Sequence, residues 1–358
     1  MLNRNITFHE AINEATTECM VRDKNVVIIG EGVPDPKGIF GTTSNLIKKF
    51  KNRVFDMPLS ENAVTGICIG ASLRGIKPIL VHQRIDFSLL SLDQIINNAA
   101  KWFFMFNKEY NVPIVIRMII GRGWGQGPQH SQNLQGLFSQ IPGLKVVMPT
   151  TPYRTKGLLI SAIKDKNPVI FLEHRWLYNI SEYVPKKYYE LDIHKCHKVK
   201  NGDSITIVAL SFMVIESIKA INIIEKYLNI TIELIDLTSI NPLDMFTIKK
   251  SVQKTGHLII VDTSHNIASI GHVIISKLMS SNIKILKKEP KIIADPDYPS
   301  PTSHYLTRKY YNSPYDIINN IIQMLDLNVS KDLLSIFKND SKKTEPHDVP
   351  YNNFQGPF

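Results

Sequence analysis

The sequence predicts an α/β protein of two domains, each a mostly parallel sheet with helices on both faces. The chain has 358 residues, which is enough for about two domains of roughly 100 to 200 residues each. Short apolar runs alternate along it with stretches of helical spacing, and this alternation is typical of parallel sheets covered by helices. A polar segment at residues 186–203 interrupts the pattern once. We therefore expect one domain on each side of that linker.

The first predicted domain covers residues 1–185 and contains the stronger strand signals. Its continuous apolar runs predict strands buried on both faces, at residues 26–30, 78–81, 113–116, 145–148 and 169–172. Between them, residues 62–74 are small and apolar, which suits a tightly packed helix. Residues 88–105 place apolar side chains at spacings of three and four, which predicts a second helix, with Leu89, Leu92, Ile96 and Ala99 on one face.

The second predicted domain covers residues 204–330 and repeats the alternation on a smaller scale. Its strands are predicted at residues 204–208, 231–235 and 258–262, with helices at 213–227 and 267–279 between them. From residue 331 the periodicity stops, so residues 331–358 are predicted to form an extended tail. Phe354 and Phe358 are unusual in such a tail, because exposed aromatic side chains generally have a surface to contact.

Composition argues against several functional classes. The formal net charge is +10, but the basic residues are scattered rather than gathered on one element, so we expect no nucleic-acid partner. The apolar runs are far shorter than the roughly 20 residues that cross a bilayer, which argues against a membrane protein. The first residues, MLNRNITFHE, contain no apolar signal core, and three cysteines do not make a disulfide framework. A cytoplasmic location is therefore expected.

The loops that follow the strands are the places to search for a site, because open α/β sheets bind ligands at the carboxyl ends of their strands. Glu61 follows one such loop, at the first turn of the helix predicted at 62–74. One interpretation is a carboxylate that stabilises a helix start. The other is a functional acid enclosed by apolar neighbours at Leu59, Ile67 and Ile69.

The loop after the strand at 113–116 is the most unusual stretch, reading GRGWGQGPQHSQ over residues 121–132. Its glycines permit close approach of the backbone to another group, and His130 follows them directly. A flexible loop would explain the glycines alone, whereas glycines followed by Gln-His-Ser-Gln favour a site. The spacing is neither a phosphate loop nor a dinucleotide fingerprint, and the sequence has no Gly-x-Ser-x-Gly elbow.

Four segments of the first domain closely resemble the β subunits of thiamine-diphosphate-dependent 2-oxo acid dehydrogenases of the pyruvate or branched-chain type. They read SENAVTGICIGASLRG, DFSLLSLDQIINNAAKW, GPQHSQNLQGLFSQIPGLKVVMPTTPYRTKGLL and NPVIFLEHRWLY. The resemblance continues in the second domain with DLTSINPLD and SVQKTG, and covers about residues 5–325. It implies a transketolase-like pyrimidine-binding domain followed by a transketolase C-terminal-like domain.

The resemblance also implies roles for individual residues and for partners. Glu61 would bind the aminopyrimidine of the cofactor, with Leu59 and Phe87 as further contacts, and His130 would be the active-site histidine. Oxidative decarboxylation of a 2-oxo acid would pass the acyl group to a lipoyl-bearing acyltransferase. An α subunit with a Gly-Asp-Gly motif would hold the diphosphate and magnesium in an α2β2 heterotetramer. This chain has Asn201-Gly202-Asp203-Ser204 but no Gly-Asp-Gly, so it resembles half of an active site.

Two features of the resemblance need separate tests. It implies a structural potassium ion bound near Ile114, Ala162, Ile163, Asp165 and Asn167, although Asp165 and Asn167 also suit an ordinary turn. Many members have an aromatic residue where this chain has Arg84. That guanidinium would pair either with a substrate carboxylate or with a partner chain across an interface.

Other functions stay open at this point. The chain could belong to a split transketolase-like enzyme that transfers a ketol unit, or it could be a catalytically silent scaffold. Retention of both Glu61 and His130 weighs against a silent scaffold. The sequence does not identify the 2-oxo acid or the acyl acceptor.

Overall fold

The computed structural model describes residues 4–121, 125–282 and 285–342. The helices are α1 Phe8–Arg22, α2 Leu46–Lys49, α3 Glu61–Ser72, α4 Ala100–Met105, α5 Gln135–Ser139, α6 Pro152–Lys164, α7 Phe212–Tyr227, α8 Met245–Thr255, α9 Ile270–Asn282, α10 His304–Thr307, α11 Pro314–Met324 and α12 Lys331–Asp340. The strands are β1 Asn5–Thr7, β2 Val26–Gly30, β3 Val54–Phe55, β4 Lys77–His82, β5 Val115–Ile120, β6 Lys145–Val147, β7 Val169–His174, β8 Ser181–Tyr183, β9 His197–Lys200, β10 Ile205–Ala209, β11 Ile232–Asp236, β12 Ser239–Asn241, β13 Leu258–His265 and β14 Lys291–Asp295.

In the described ranges, the first domain is built on a seven-stranded sheet with the order β12-β6-β7-β5-β4-β2-β3. Its strands are parallel except for β12, which comes from the second domain and pairs antiparallel with β6. Strands β5 and β7 are buried along their whole length, as expected for a sheet covered on both faces. Because β12 extends the first sheet, the two domains share backbone hydrogen bonds as well as side-chain contacts.

The second domain is built on a five-stranded sheet, among described residues, with the order β14-β13-β10-β11-β9. Strands β14, β13, β10 and β11 are parallel, which confirms the predicted fold class for this half. The segment predicted as a polar linker contributes β9, which pairs antiparallel with β11 at the edge of this sheet. A strand this short has no distinctive pattern of its own and forms because an unpaired edge is available to it.

Local sequence signals explain where several helices begin. Thr7 caps α1 and forms a capping box with Glu10. The Thr7 hydroxyl accepts from the backbone N–H of Glu10, and the Glu10 carboxylate accepts from the backbone N–H of Thr7. Thr151 caps α6, and Pro152 occupies its first position, where a missing N–H costs nothing. These devices fix the ends of two helices that pack against each other on one face of the first sheet.

The stretch predicted as one helix over residues 88–105 is irregular. It consists of a 3₁₀ turn at Phe87–Ser91, a π-helical segment at Gln94–Ala99 and then α4. The hydroxyl groups of Ser88 and Ser91 donate to the carbonyls of Ile85 and Ser88, each three residues back, and these bonds favour the tighter turn.

The prediction of an extended tail from residue 331 is wrong for its first part. Residues 331–340 form α12, which begins at a Ser330 cap and packs against α7 and α11. Phe337 is fully buried, and its ring lies 5.8 Å from that of Tyr227. The helix forms because Leu333, Leu334 and Phe337 make an apolar stripe within an otherwise polar stretch. Phe354 and Phe358 lie outside the described residues.

Within the described ranges no helix is both long enough and apolar enough to span a membrane.

Candidate active site

Glu61 is the first residue of α3, and its side chain is buried, with 7% of its surface exposed. Among the described residues, no hydrogen bond is formed by its carboxylate, and Ser60 makes no side-chain cap either. A capping carboxylate would accept from a backbone N–H at the helix start. The geometry therefore argues against a capping role for Glu61 and leaves its carboxylate, which retains some exposure, open to a ligand.

Two further carboxylates lie beside Glu61. Asp56 accepts from the backbone N–H groups of Gly32 and Met57 at 2.9 and 3.0 Å, so its position is fixed by the loop after β2. Burial, together with the charges of Glu61 and Asp56, raises the pKa of Glu31. The acidic surroundings at the carboxyl ends of β2 and β3 therefore favour the protonated form of Glu31.

The predicted apolar enclosure of Glu61 is only partly correct. Ile69 is buried, with 4% exposure, but Leu59 and Ile67 are 77% and 65% exposed. Leu90, on the 3₁₀ turn that packs against α3, is 66% exposed as well. Ile67 faces away from Ile69 because residues two apart on a helix lie on opposite faces, and Leu59 lies in the loop before α3. These three exposed apolar side chains mark a surface suited to another protein chain.

Phe87 and His130 come together, as a shared site requires. Phe87 lies in the loop after β4, and His130 lies in the glycine-rich segment after β5. Their rings are 5.6 Å apart at an interplanar angle of 82°, an edge-to-face contact. Both follow neighbouring parallel strands and stand at the same edge of the sheet as Glu61, which follows β3.

The glycine-rich segment is held by close contacts at its glycines. Gly121 has a φ of +89°, and a Cβ there would lie 2.5 Å from Nε2 of His174. Gly127 has a φ of +63°, and a Cβ there would lie 2.3 Å from Oγ1 of Thr302, which belongs to the second domain. Both positions require glycine, for backbone conformation and for space. The Arg122-Gly123-Trp124 part of the predicted motif lies outside the described residues.

Arg84 is buried, with 4% exposure, and its donors face its own chain. Nη1 donates to the carbonyl of Gly121 at 2.8 Å, and Nη2 donates to Oε1 of Gln126. Burial lowers the pKa of Arg84 to about 10, and the nearby Asp86 carboxylate opposes that change. Neither hypothesis drawn from the sequence, a substrate carboxylate or a partner chain, accounts for these two contacts.

Asp86 makes a third connection between the same two segments. It accepts from Nε2 of Gln132 at 2.8 Å, while its other carboxylate oxygen is buried without a partner in the described ranges. Burial raises the pKa of Asp86, and the Gln132 hydrogen bond opposes that rise.

The residues implied for potassium lie at one end of the first sheet, around the start of β7. The carbonyls of Ile114 and Ala162 accept from the N–H groups of Val169 and Asp165, and a carbonyl oxygen has two lone pairs. Both carboxylate oxygens of Asp165 accept from Lys145 Nζ at 2.7 Å. Ile163 is buried, and Oδ1 of Asn167 is buried without a partner among described residues. Carbonyl and amide oxygens of this kind suit a hard cation.

Comparison with known proteins gives the same architecture. Residues 4–181 match the transketolase pyrimidine-binding domain family, and residues 194–317 match the transketolase C-terminal domain family. The acetoin:2,6-dichlorophenolindophenol oxidoreductase β subunit of Cupriavidus necator is 39% identical over 324 residues, covering 88% of this chain and 96% of the relative. The pyruvate dehydrogenase E1 β subunit of Rickettsia bellii is 38% identical over 315 residues, covering 88% and 97%.

This chain belongs to the β-subunit family of thiamine-diphosphate-dependent 2-oxo acid dehydrogenases. The predicted family and enzyme class are thereby confirmed, and thiamine diphosphate dependence and an α-subunit partner follow from membership. A solved split-gene transketolase, described as an inactive β4 tetramer, has a TM-score of 0.72 at 20% identity and covers 90% of this chain and 99% of its own. That likeness concerns the fold alone.

Several residues of this β-family site were not predicted from the sequence. Glu31 and Asp56 stand beside Glu61, Gln126 accepts from Arg84, and Thr302 reaches the glycine segment from the second domain. Apart from Asp56, which lies in the loop before Glu61, these contacts join residues far apart in the chain, and no local pattern indicates such pairings.

Proposed function

We propose that this chain supplies the pyrimidine-binding half of a thiamine-diphosphate site that oxidatively decarboxylates a 2-oxo acid and passes the acyl group to a lipoyl group. The observation that carries the proposal is the largely buried Glu61 side chain, whose carboxylate has no hydrogen-bond partner among the described residues. Its edge of the sheet also carries the Phe87–His130 pair. When bound, thiamine diphosphate supplies a nucleophilic carbon and an electron sink for decarboxylation.

The side chains have separable roles in this proposal. Glu61 holds a proton at a ring nitrogen of the aminopyrimidine, which an acid in a water-poor position can do without competition from solvent. Phe87 and Leu59 contact the apolar faces of the cofactor, and the exposure of Leu59 leaves it free to do so. His130, held at its ring by Phe87, orients the substrate carbonyl and moves a proton during acyl transfer.

The other half of the site is proposed to come from an α subunit whose Gly-Asp-Gly motif holds the diphosphate and magnesium, in an α2β2 assembly. The exposed Leu59, Ile67 and Leu90 side chains beside Glu61 support a protein interface at this place. A lipoyl-bearing acyltransferase is the proposed acceptor. The free, mostly buried cysteines Cys19, Cys68 and Cys196 are compatible with the cytoplasm as the proposed location.

A structural potassium ion is proposed at the start of β7, bound by the carbonyl oxygens of Ile114, Ala162, Ile163, Asp165 and Asn167. The gathering of these residues at the start of β7 and the unpartnered, buried Oδ1 of Asn167 support it. Since Lys145 neutralises the Asp165 carboxylate, the cation would be held by carbonyl dipoles rather than by charge.

Acetoin is a second candidate substrate, because two of the relatives are named as acetoin oxidoreductase subunits, from Cupriavidus necator and Bacillus subtilis. Its carbon–carbon bond would be cleaved in place of the bond to a carboxylate. A panel containing pyruvate, branched 2-oxo acids and acetoin separates the two.

The test is reconstitution with the α chain and thiamine diphosphate, measured as carbon dioxide release and as reduction of an artificial electron acceptor. We expect no turnover by the isolated β chain and turnover of a 2-oxo acid by the mixture. Full turnover by the β chain alone would contradict the half-site. Dye reduction from acetoin, without carbon dioxide from any 2-oxo acid, would assign the second candidate.

A further inference from the structure

Three residues of the loop after β4 contact the segment that carries His130. Arg84 donates to Gly121 and Gln126 at the start of that segment, Asp86 accepts from Gln132 after His130, and Phe87 contacts the His130 ring. The three residues fall within four consecutive positions of one loop, and their contacts lie between residues 121 and 132 of the other. Together they fix His130 from both sides.

Arg84 makes the contact that the others cannot replace. Phe87 contacts His130 and Asp86 accepts from Gln132, whereas Arg84 is the one of these three that binds the segment before the histidine. Gly121 needs a positive φ, so its carbonyl points in a direction that few residues permit. A guanidinium presents its donors in a planar fork and can bind two acceptors at once, here a main-chain carbonyl and a side-chain amide.

We propose that Arg84 is a positioning residue that holds Gly121 and Gln126 in place and thereby sets where His130 stands relative to the substrate. The inference rests on the proposed function and deepens it. Arg84 acts through His130 and does not itself touch the reacting atoms.

The alternative of a substrate carboxylate on Arg84 is weaker on two grounds. Both Nη atoms already donate within the chain. An ion pair to the carboxylate that departs as carbon dioxide would also stabilise the ground state more than the transition state, which slows the reaction.

The test is a double-mutant cycle in the full α/β complex with saturating thiamine diphosphate. Arg84→Met removes the donors and keeps the apolar stem, and we expect the rate of acyl transfer to fall about 10- to 100-fold with KM for the 2-oxo acid nearly unchanged. In the His130→Ala background, the same substitution should cost less than about threefold, because its effect passes through the missing histidine. Equal losses in both backgrounds would overturn the inference.

Conservative and matched variants guard against a general loss of structure. Arg84→Lys keeps one donor and should recover part of the rate, and Gln126→Ala should cost less than Arg84→Met at the same step. Arg53→Met is the matched control, since Arg53 also donates to main-chain carbonyls, those of Asp23 and Val26, but at the opposite end of β2. It should leave the rate unchanged in both histidine backgrounds. A loss with Arg53→Met equal to that with Arg84→Met would contradict a specific role.

Hydrogen exchange of residues 125–132 in the same complex provides a readout that does not need turnover. Arg84→Met should accelerate exchange there while exchange at α1 stays as in the unsubstituted complex. Unchanged exchange would overturn the inference whatever the activity. If the unsubstituted complex turned over no substrate, the proposed function would fail, and the exchange result would still decide the role of Arg84.

Discussion

Glu61 and Asp262 are buried carboxylates near the carboxyl ends of strands in different domains, and their surroundings differ sharply. Asp262, on β13, is 1% exposed and accepts from Nε2 of Gln135 at 2.8 Å, from Oγ of Ser269 at 2.7 Å and from the N–H of Ser264 at 3.2 Å. Glu61 is nearly as buried but accepts from no described residue. The Asp262 carboxylate therefore has its hydrogen-bond donors within the chain, whereas the Glu61 carboxylate is available to a donor on a ligand.

The difference separates a carboxylate with a structural role, within β13, from one at the start of α3 that is available to a ligand. The hydrogen bond from Gln135 to Asp262 connects the first domain to the second. The hydrogen bonds of Asp262 also offset the free-energy cost of burying its carboxylate. Glu61 accepts no hydrogen bond from the described residues and is open to a ligand donor. Burial alone therefore does not separate the two carboxylates, whereas their hydrogen-bond partners do.

The largest expected effect is that of Glu61→Gln. An amide fills the same space and still forms hydrogen bonds, but it cannot supply a proton, so we expect activity of the reconstituted complex to fall about 10⁴-fold, the upper end for a lost acid–base group. The free energy of unfolding should change by less than about 0.5 kcal/mol, because no internal bond is lost. Urea denaturation and carbon dioxide release measure the two quantities. Near-normal activity together with a large loss of stability would assign Glu61 to the helix start after all.

The next effect is that of His130→Ala, with an expected fall in overall turnover of about 10³-fold. Separate measurements of the first decarboxylation and of acyl transfer to a lipoyl acceptor show which step needs His130. We expect the substitution to slow acyl transfer more than decarboxylation. Phe87→Leu is the matched control, since it keeps an apolar side chain but removes the ring contact, and it should give a smaller loss at the same step. If both steps kept their rates in His130→Ala, the histidine would have no catalytic role.

Asp262→Ala should show the opposite profile from Glu61→Gln. Three donors lose their acceptor, including the interdomain Gln135 amide, so we expect a loss of about 4 kcal/mol in the free energy of unfolding. Ser269→Ala removes one of these bonds and should cost about 1 kcal/mol. Where either variant still assembles with the α chain, its turnover should stay within about threefold. A selective loss of turnover with full stability would break the comparison between the two carboxylates.

The main strands could be predicted from the sequence because burial on both faces of the sheet requires a continuous run of apolar residues. Such a run is visible locally in the sequence. It did not reach β3, β9 or β12, which have two to four residues and depend on an available edge. Glu61 and His130 were accessible through motifs next to strand ends. The Gly127–Thr302 approach was not, because it joins residues whose only connection is the packing of two domains.

The smallest expected effect concerns Asp236, an intermediate case between the two carboxylates. One of its oxygens accepts from the N–H of Thr238 at 3.0 Å, while the other is buried without a partner in the described part of the chain. Burial raises the pKa of Asp236 to about 6, although the nearby Arg154 opposes the rise. A folded-state pKa above the unfolded value means that protonated Asp236 stabilises the fold. This contribution is complete below about pH 4 and is lost as the pH rises through about 6.

We therefore expect Asp236→Asn, which imitates the protonated form at every pH, to gain stability relative to the unsubstituted chain as the pH rises from about 4 to 7. The change in the difference should approach 3 kcal/mol, since about two pH units at roughly 1.4 kcal/mol each separate the two states. Urea denaturation at several pH values measures it, with a constant m-value as the control for two-state unfolding. Turnover of the reconstituted complex should not follow this pH dependence, because Asp236 has a structural role and not a catalytic one. A difference that is flat across the pH range would show that Arg154 keeps Asp236 ionised, and the carboxylate would then belong with Asp262 as a fully compensated group.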